Sequence, residues 1–233
     1  ERVIYIENLE CLIKPGLFGG QGDLRRTEFD IRNSQIFCNK IPVDIVFLGD
    51  SITHFWEVEE YFKEYGIVVN RGIGGEVAHL AVKRFQADVV QLSPKICVMM
   101  VGINNTWILD GCKTEAERTS LENEIMEIYD SSYREILAQA KAAEIKMLIC
   151  SITPIHHQPE FRKHFIVRAN KLIQALCEEH EVPYVDYYSK MLASDGITME
   201  ESLSWDGVHP HVGGYNIMKT VLEPHLNRIK GRI

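Results

Sequence analysis

The sequence predicts a three-layer α/β/α sandwich built on a central parallel sheet of about five strands, and two observations predict it. Five short runs rich in β-branched and apolar residues recur along the chain, each nearly continuous in its hydrophobicity, so both faces of the sheet they form should be covered. Between them lie stretches with helical spacing, and this alternation of strand and helix implies parallel strands joined by right-handed crossovers.

The elements follow in order. Residues 1–43 show no clear period; the segment KPGLFGGQGDLRRTEFD is rich in turn formers and is expected to wrap the domain as an N-terminal arm. The first strand is DIVFLG, 44–49, whose apolar run stops at Gly49. A helix is expected over 56–65, then the strand GIVVN at 66–70 and a helix over 75–92. The third strand, KICVMMV at 95–101, is followed by a long helix over 114–143, and the fourth, KMLICSI at 146–152, by a helix over 160–180. VPYVD at 182–186 is the fifth strand, and a last helix is expected over 213–229. Residues 44–233 are read as one domain, which a chain of 233 residues can fill with a single sizeable core.

Composition narrows the class. With 45% apolar and 25% charged residues the chain is an ordinary globular protein. The formal charge of −8 and the lack of a basic run argue against nucleic acid as a partner. No apolar stretch approaches the ~20 residues of a membrane helix, so no integral membrane segment is expected. Cys11, Cys38, Cys97, Cys112, Cys150 and Cys177 show no zinc spacing and read as reduced thiols, which favours a cytoplasmic setting. Because the chain starts at Glu rather than Met, a preceding signal segment and hence secretion stay open.

In open parallel sheets, ligands sit beyond the carboxyl ends of the strands, where strand order reverses. Polar and glycine-rich residues gather at those ends here. Ser51 follows the first strand and opens a helix, where it could be an exposed nucleophile or a plain helix N-cap. In WDGVHPHVGGY, Asp206 and His209 are three apart across a turn, a spacing that lets the carboxylate hold Nδ1–H while Nε2 faces outward as a base. Gly75 can offer a backbone N–H close to a reacting centre, and Asn104 a side-chain amide. Each of these also has an ordinary structural reading as turn or cap.

Together, GDSIT, NRGIGG, VGINN and DGVHP, in this order, resemble the four signature blocks of the GDSL or SGNH hydrolase family, over about four fifths of the chain. The resemblance implies a flavodoxin-like sandwich, with Ser51 as nucleophile, His209 as base and Asp206 as the residue that orients it. Ser51, Gly75 and Asn104 are implied as the oxyanion donors, and no metal or cofactor is implied. The third block reads Gly-Ile-Asn-Asn rather than the commoner Gly-x-Asn-Asp, a form similar to the branch of platelet-activating-factor acetylhydrolase-like and bacterial small-ester hydrolases.

The expected activity is hydrolysis of small or medium acyl esters, O-acetyl groups on carbohydrate among them, with a lysophospholipase-like or acetylhydrolase-like lipid esterase as the alternative. A non-catalytic sugar-binding module is the reading from another class, and whether the chain forms a homodimer stays open. Asp50 and Asn105 within the blocks, Trp107 and Trp205 beside them, and His156 on the loop after the fourth strand are candidates for lining the substrate pocket, core packing being the alternative for the tryptophans. GIGGEVA lacks the third glycine of a dinucleotide fingerprint, Val77 taking its place.

Overall fold

The computed structural model describes residues 11–20 and 22–231. Helix α1 (Gly22–Cys38) precedes strand β1 (Ile45–Gly49), which runs into two short helices, α2 (Ser51–His54) and α3 (Val58–Tyr61). Strand β2 (Val68–Gly72), helix α4 (Ala78–Asp88), strand β3 (Ile96–Met100) and the long helix α5 (Glu115–Ala142) follow. The chain continues through strand β4 (Lys146–Cys150), helix α6 (Glu160–Glu179), the short strand β5 (Tyr184–Val185) and helix α7 (Val212–Lys230).

All five strands pair in parallel in the order β2-β1-β3-β4-β5. This is the α/β sandwich that the alternation predicts. Because crossovers are right-handed, the reversal of direction after β2 places α4, α5 and α6 on one face and the α2–α3 segment with α7 on the other. The packing agrees: α5 lies between α4 and α6, while Trp56 stacks on Tyr215 of α7 and Tyr61 donates to Asn216 at 3.2 Å. Strands β1, β2 and β3 are wholly buried, and β4 is buried beyond Lys146, as continuous apolar strands covered on both faces should be.

Three elements depart from the sequence pattern. The helix expected over 56–65 is reduced to α3 and a 3-10 turn at Lys63–Tyr65, and a bend separates α3 from the preceding α2. Asn70 fixes that bend: its Nδ2 donates to the carbonyls of Thr53 at 2.8 Å and Trp56 at 2.9 Å, and Trp56 packs there against Phe47 and Phe62. Strand β2 runs two residues beyond GIVVN, through Arg71 and Gly72. The Arg71 guanidinium is buried but satisfied, donating to Asn33 Oδ1 and to the Asn70 carbonyl. Finally, part of the segment without a clear period is helix α1. Its buried stripe is Arg26, Phe29 and Asn33, so the helical spacing is present but carried by two polar residues. Asn33 Nδ2 donates to Ala87 O at 3.1 Å and to Asp88 Oδ1 at 2.9 Å, which joins α1 to α4. The first ten residues of the expected arm lie outside the described residues.

Two devices fix the loops that leave β3 and β4. Tyr129 and Tyr133 of α5 donate to the carbonyls of Gly102 and Val101, both at 2.7 Å, and so hold the exit of β3. Asn170 of α6 pairs with both the N–H and the carbonyl of Ile152 and does the same for β4. No helix among the described residues is long and apolar enough to cross a membrane.

Candidate active site

Strand order reverses between β1 and β3, and the chemistry-bearing residues meet at the carboxyl ends of these strands and of β2. Asp50, not Ser51, caps α2: its backbone is extended and its Oδ1 accepts from Ile52 N–H at 3.0 Å. That leaves the Ser51 hydroxyl free for another partner, which is His209 Nε2 at 2.8 Å.

His209 reaches Ser51 from the loop before α7. Its Nδ1 lies 2.6 Å from Asp206 Oδ2. An ionised carboxylate only accepts, so Nδ1 carries the proton and Nε2 turns its lone pair to the serine. The other oxygen of Asp206 accepts from Val208 N–H at 2.9 Å, His209 N–H at 2.8 Å and Ser204 Oγ at 3.1 Å, closing a tight turn. Burial pushes the Asp206 carboxyl up, but the bonds from the His209 ring and from the two N–H groups outweigh it and hold the group well below the ordinary carboxylate range. Gly207 sits in the turn with φ of +84°, and a Cβ there would meet the His156 carbonyl at 2.1 Å, so only glycine lets the turn approach that neighbour.

The third component is the turn after β2, where Glu76 N–H donates to Ile73 O at 3.1 Å. Gly75 stands at its third position with φ of +78°, as a type II turn requires. A Cβ on Gly74 would lie 4.0 Å from Ser51 Cβ, so the turn rests against the serine. Among the described residues, neither the Ser51 nor the Gly75 N–H has an acceptor. Asn104 joins the same turn, donating from Nδ2 to Glu76 O at 2.9 Å while its Oδ1 accepts from Trp107 Nε1 at 3.0 Å.

A buried ionic cluster underlies this turn. The Glu76 carboxylate is gripped by Arg26 of α1 at 3.0 Å and by Arg84 of α4 at 2.5 Å, and Arg84 also bonds Asp88 and the carbonyls of Gly49 and Arg71. Charges buried this deeply persist only when paired and hydrogen-bonded. The sequence reading missed Glu76, Arg84 and Ser204 as supports; nothing local distinguishes them from surface charges and a turn serine.

Of the five pocket candidates, three are buried. Asn105 is buried and its Oδ1 accepts from Ala78 N–H at 3.0 Å, capping α4. His156 is buried, its Nε2 donating to Ser204 O at 3.1 Å beneath the Asp206 turn. Asp50 is 1% exposed. Trp107 and Trp205 are 37% and 88% exposed.

Burial pushes the Asp50 carboxyl up to about 7; the Ile52 N–H acts against the shift and the nearby Glu76 charge adds to it. The ordinary value is 3.8, so between that pH and about 7 the folded state keeps a proton that the unfolded state releases. Wild-type stability should therefore fall as pH rises across this window and level off above it. Asp50→Asn keeps the cap acceptor but cannot ionise. Relative to wild type, its melting temperature is expected to be higher at pH 8 than at pH 5; an equal difference at both values would contradict the buried proton.

A parallel sheet that presents a hydrogen-bonded Ser–His–Asp chain beside free backbone and amide donors at its switch point defines a serine-type carboxylic ester hydrolase. The chain belongs to the GDSL-like Lipase/Acylhydrolase family, whose model matches residues 47–217. It is 24% identical over 165 residues to an acetylxylan esterase from Geobacillus stearothermophilus, covering 69% of this chain and 73% of that protein. Among solved structures it is similar to a candidate acylhydrolase from Bacteroides fragilis, with 25% identity, a TM-score of 0.71, and 90% of this chain and 98% of that one covered. A GDSL-like lipase from Bacteroides thetaiotaomicron gives 25% identity and a TM-score of 0.70, over 87% of this chain and 97% of that one.

Proposed function

We propose that the chain hydrolyses small acyl esters, O-acetyl groups on carbohydrate among them, through an acyl intermediate on Ser51. The observation that carries this reading is the 2.8 Å contact from Ser51 Oγ to an imidazole whose far nitrogen is held by Asp206. His209 Nε2 takes the Ser51 proton as the oxygen attacks the ester carbonyl. The negative oxygen of the tetrahedral intermediate is received by the N–H groups of Ser51 and Gly75 and by the second N–H of Asn104 Nδ2. Collapse breaks the bond to the alcohol, which leaves with the proton from His209. Water then adds to the acyl carbonyl with His209 as base, and the carboxylic acid departs as Ser51 regains its proton.

The rim supports the choice of substrate. Phe55, Trp107, Ile108, Trp205 and Val212 are exposed, and each lies within four residues of Ser51, Asn104, Asp206 or His209 along the chain. Exposed aromatic faces suit the apolar faces of sugar rings. The curated relative that acts on acetylated xylan points the same way. Because the same rim offers apolar area to a lipid chain, the deciding experiment is hydrolysis of p-nitrophenyl esters from acetyl to palmitoyl, alongside acetate release from acetylated xylan. Turnover is expected to be highest for acetyl and to fall beyond butyryl. Turnover rising with chain length would overturn the small-acyl reading in favour of lipid esters. Absence of turnover together with no labelling by a fluorophosphonate would leave a binding module.

A further inference from the structure

We infer that Trp107 is a positioning residue for the oxyanion site, acting through its indole N–H on the Asn104 amide. The inference rests on Asn104 being an oxyanion donor as proposed above. A primary amide presents an acceptor at one end and donors at the other, and a half-turn about its last torsion exchanges them. Exchanged, Asn104 would aim a carbonyl at the developing negative charge. Two contacts forbid this. The Glu76 carbonyl, which only accepts, claims one N–H of Nδ2 at 2.9 Å. The Trp107 indole, which only donates, claims Oδ1 at 3.0 Å. A flipped amide would lose both bonds and oppose like ends, so the remaining N–H stays directed at the reacting centre.

The indole is itself held. The Arg162 guanidinium lies 3.8 Å from the Trp107 ring centroid, its side chain fully buried and bonded to Asp110 and to Gln158 Oε1. A desolvated guanidinium over an indole face is a favourable cation–π arrangement. It fixes the ring plane and hence the direction of its N–H. Thus the loop before α6 and the start of that helix reach the oxyanion donor through two side chains. A residue that merely lined a pocket would have no need to hold the Asn104 side-chain oxygen, as Trp107 does.

The test is a steady-state comparison on p-nitrophenyl acetate. Trp107→Phe keeps an aromatic face for Arg162 but deletes the N–H, and it is expected to lower kcat about tenfold with KM unchanged, a part of the 10²–10³ that deletion of an oxyanion donor costs. Trp107→His restores an N–H at the equivalent ring position and is expected to recover most of the loss. In an Asn104→Ala background, Trp107→Phe is expected to cost nothing further, because the group through which it acts is gone. Melting temperatures of all variants establish that folded proteins are compared. A rise in KM with kcat unchanged, an undiminished loss in the Asn104→Ala background, or no recovery in a folded Trp107→His would overturn the inference. Failure of the underlying reading looks different: Ser51→Ala and Asn104→Ala would then keep wild-type turnover.

Discussion

Ser51→Ala is expected to lose ester hydrolysis by about 10⁵-fold or more, the order seen when the nucleophile of a serine triad is removed. Folding should be untouched, and the structure explains why the two effects separate. Among the described residues the Ser51 hydroxyl has one side-chain partner, His209 Nε2, whereas the start of α2 is capped by Asp50. Removing the hydroxyl therefore costs no cap bond and leaves a gap of a single atom at a buried position. The melting temperature should move by no more than about 2 °C, as for substitutions outside the strongly destabilising classes. Intact mass after fluorophosphonate treatment gives a second readout: wild type gains one adduct on Ser51 and the variant none. Activity within tenfold of wild type would remove Ser51 from the mechanism.

The second large effect is expected at the base and its carboxylate, and the two substitutions should differ. His209→Ala leaves no acceptor for the serine proton and should approach the Ser51→Ala loss, with the double variant no worse than either single one, because the pair acts as a unit. Asp206→Asn should lose about 10⁴-fold, the figure typical of an amide in this position. The physical reason lies in the bonds around Asp206. An asparagine can still accept the Val208 and His209 N–H groups through Oδ1, so the turn survives. Its NH₂ then faces Nδ1, which must give up its proton, and Nε2 becomes a donor turned toward Ser51. The base is present in the wrong tautomer. Equal losses in Asp206→Asn and His209→Ala would show that the ring keeps no useful population of the other tautomer. The depressed pKa of Asp206 adds a sign: because hydrogen bonding favours its charged form, the carboxylate stays ionised through mildly acidic pH, and the orientation of His209 should persist there.

Much of this architecture was legible along the chain because its signals are local. Continuous apolar strands alternating with periodic helices specify a covered parallel sheet, and the observed order β2-β1-β3-β4-β5 has that form. Four short blocks pointed to the residues that meet at its switch point. What was illegible depended on partners distant in sequence. Helix α1 has the spacing of a packed helix, but Arg26 and Asn33 occupy its buried stripe because Glu76, Arg71 and Asp88 wait for them on other elements. Asn70 fixes the bend after α2 by taking two carbonyls, an effect visible only once β2 lies beside that segment.

The sequence by itself therefore determined the layers of the fold, the family, and the residue types available for acyl transfer, since strand runs, helical spacing and short motifs are properties of neighbouring residues. Tertiary structure alone decided which of two readings Ser51 takes, by giving the cap to Asp50 and the hydroxyl to a histidine 158 residues away. It also bonded Asn105 to Ala78 and His156 to Ser204, and turned Trp107 toward Asn104. Hydrogen bonds act over about 3 Å, so whether a polar side chain caps, supports or reacts is fixed only when the fold brings its partner within that distance.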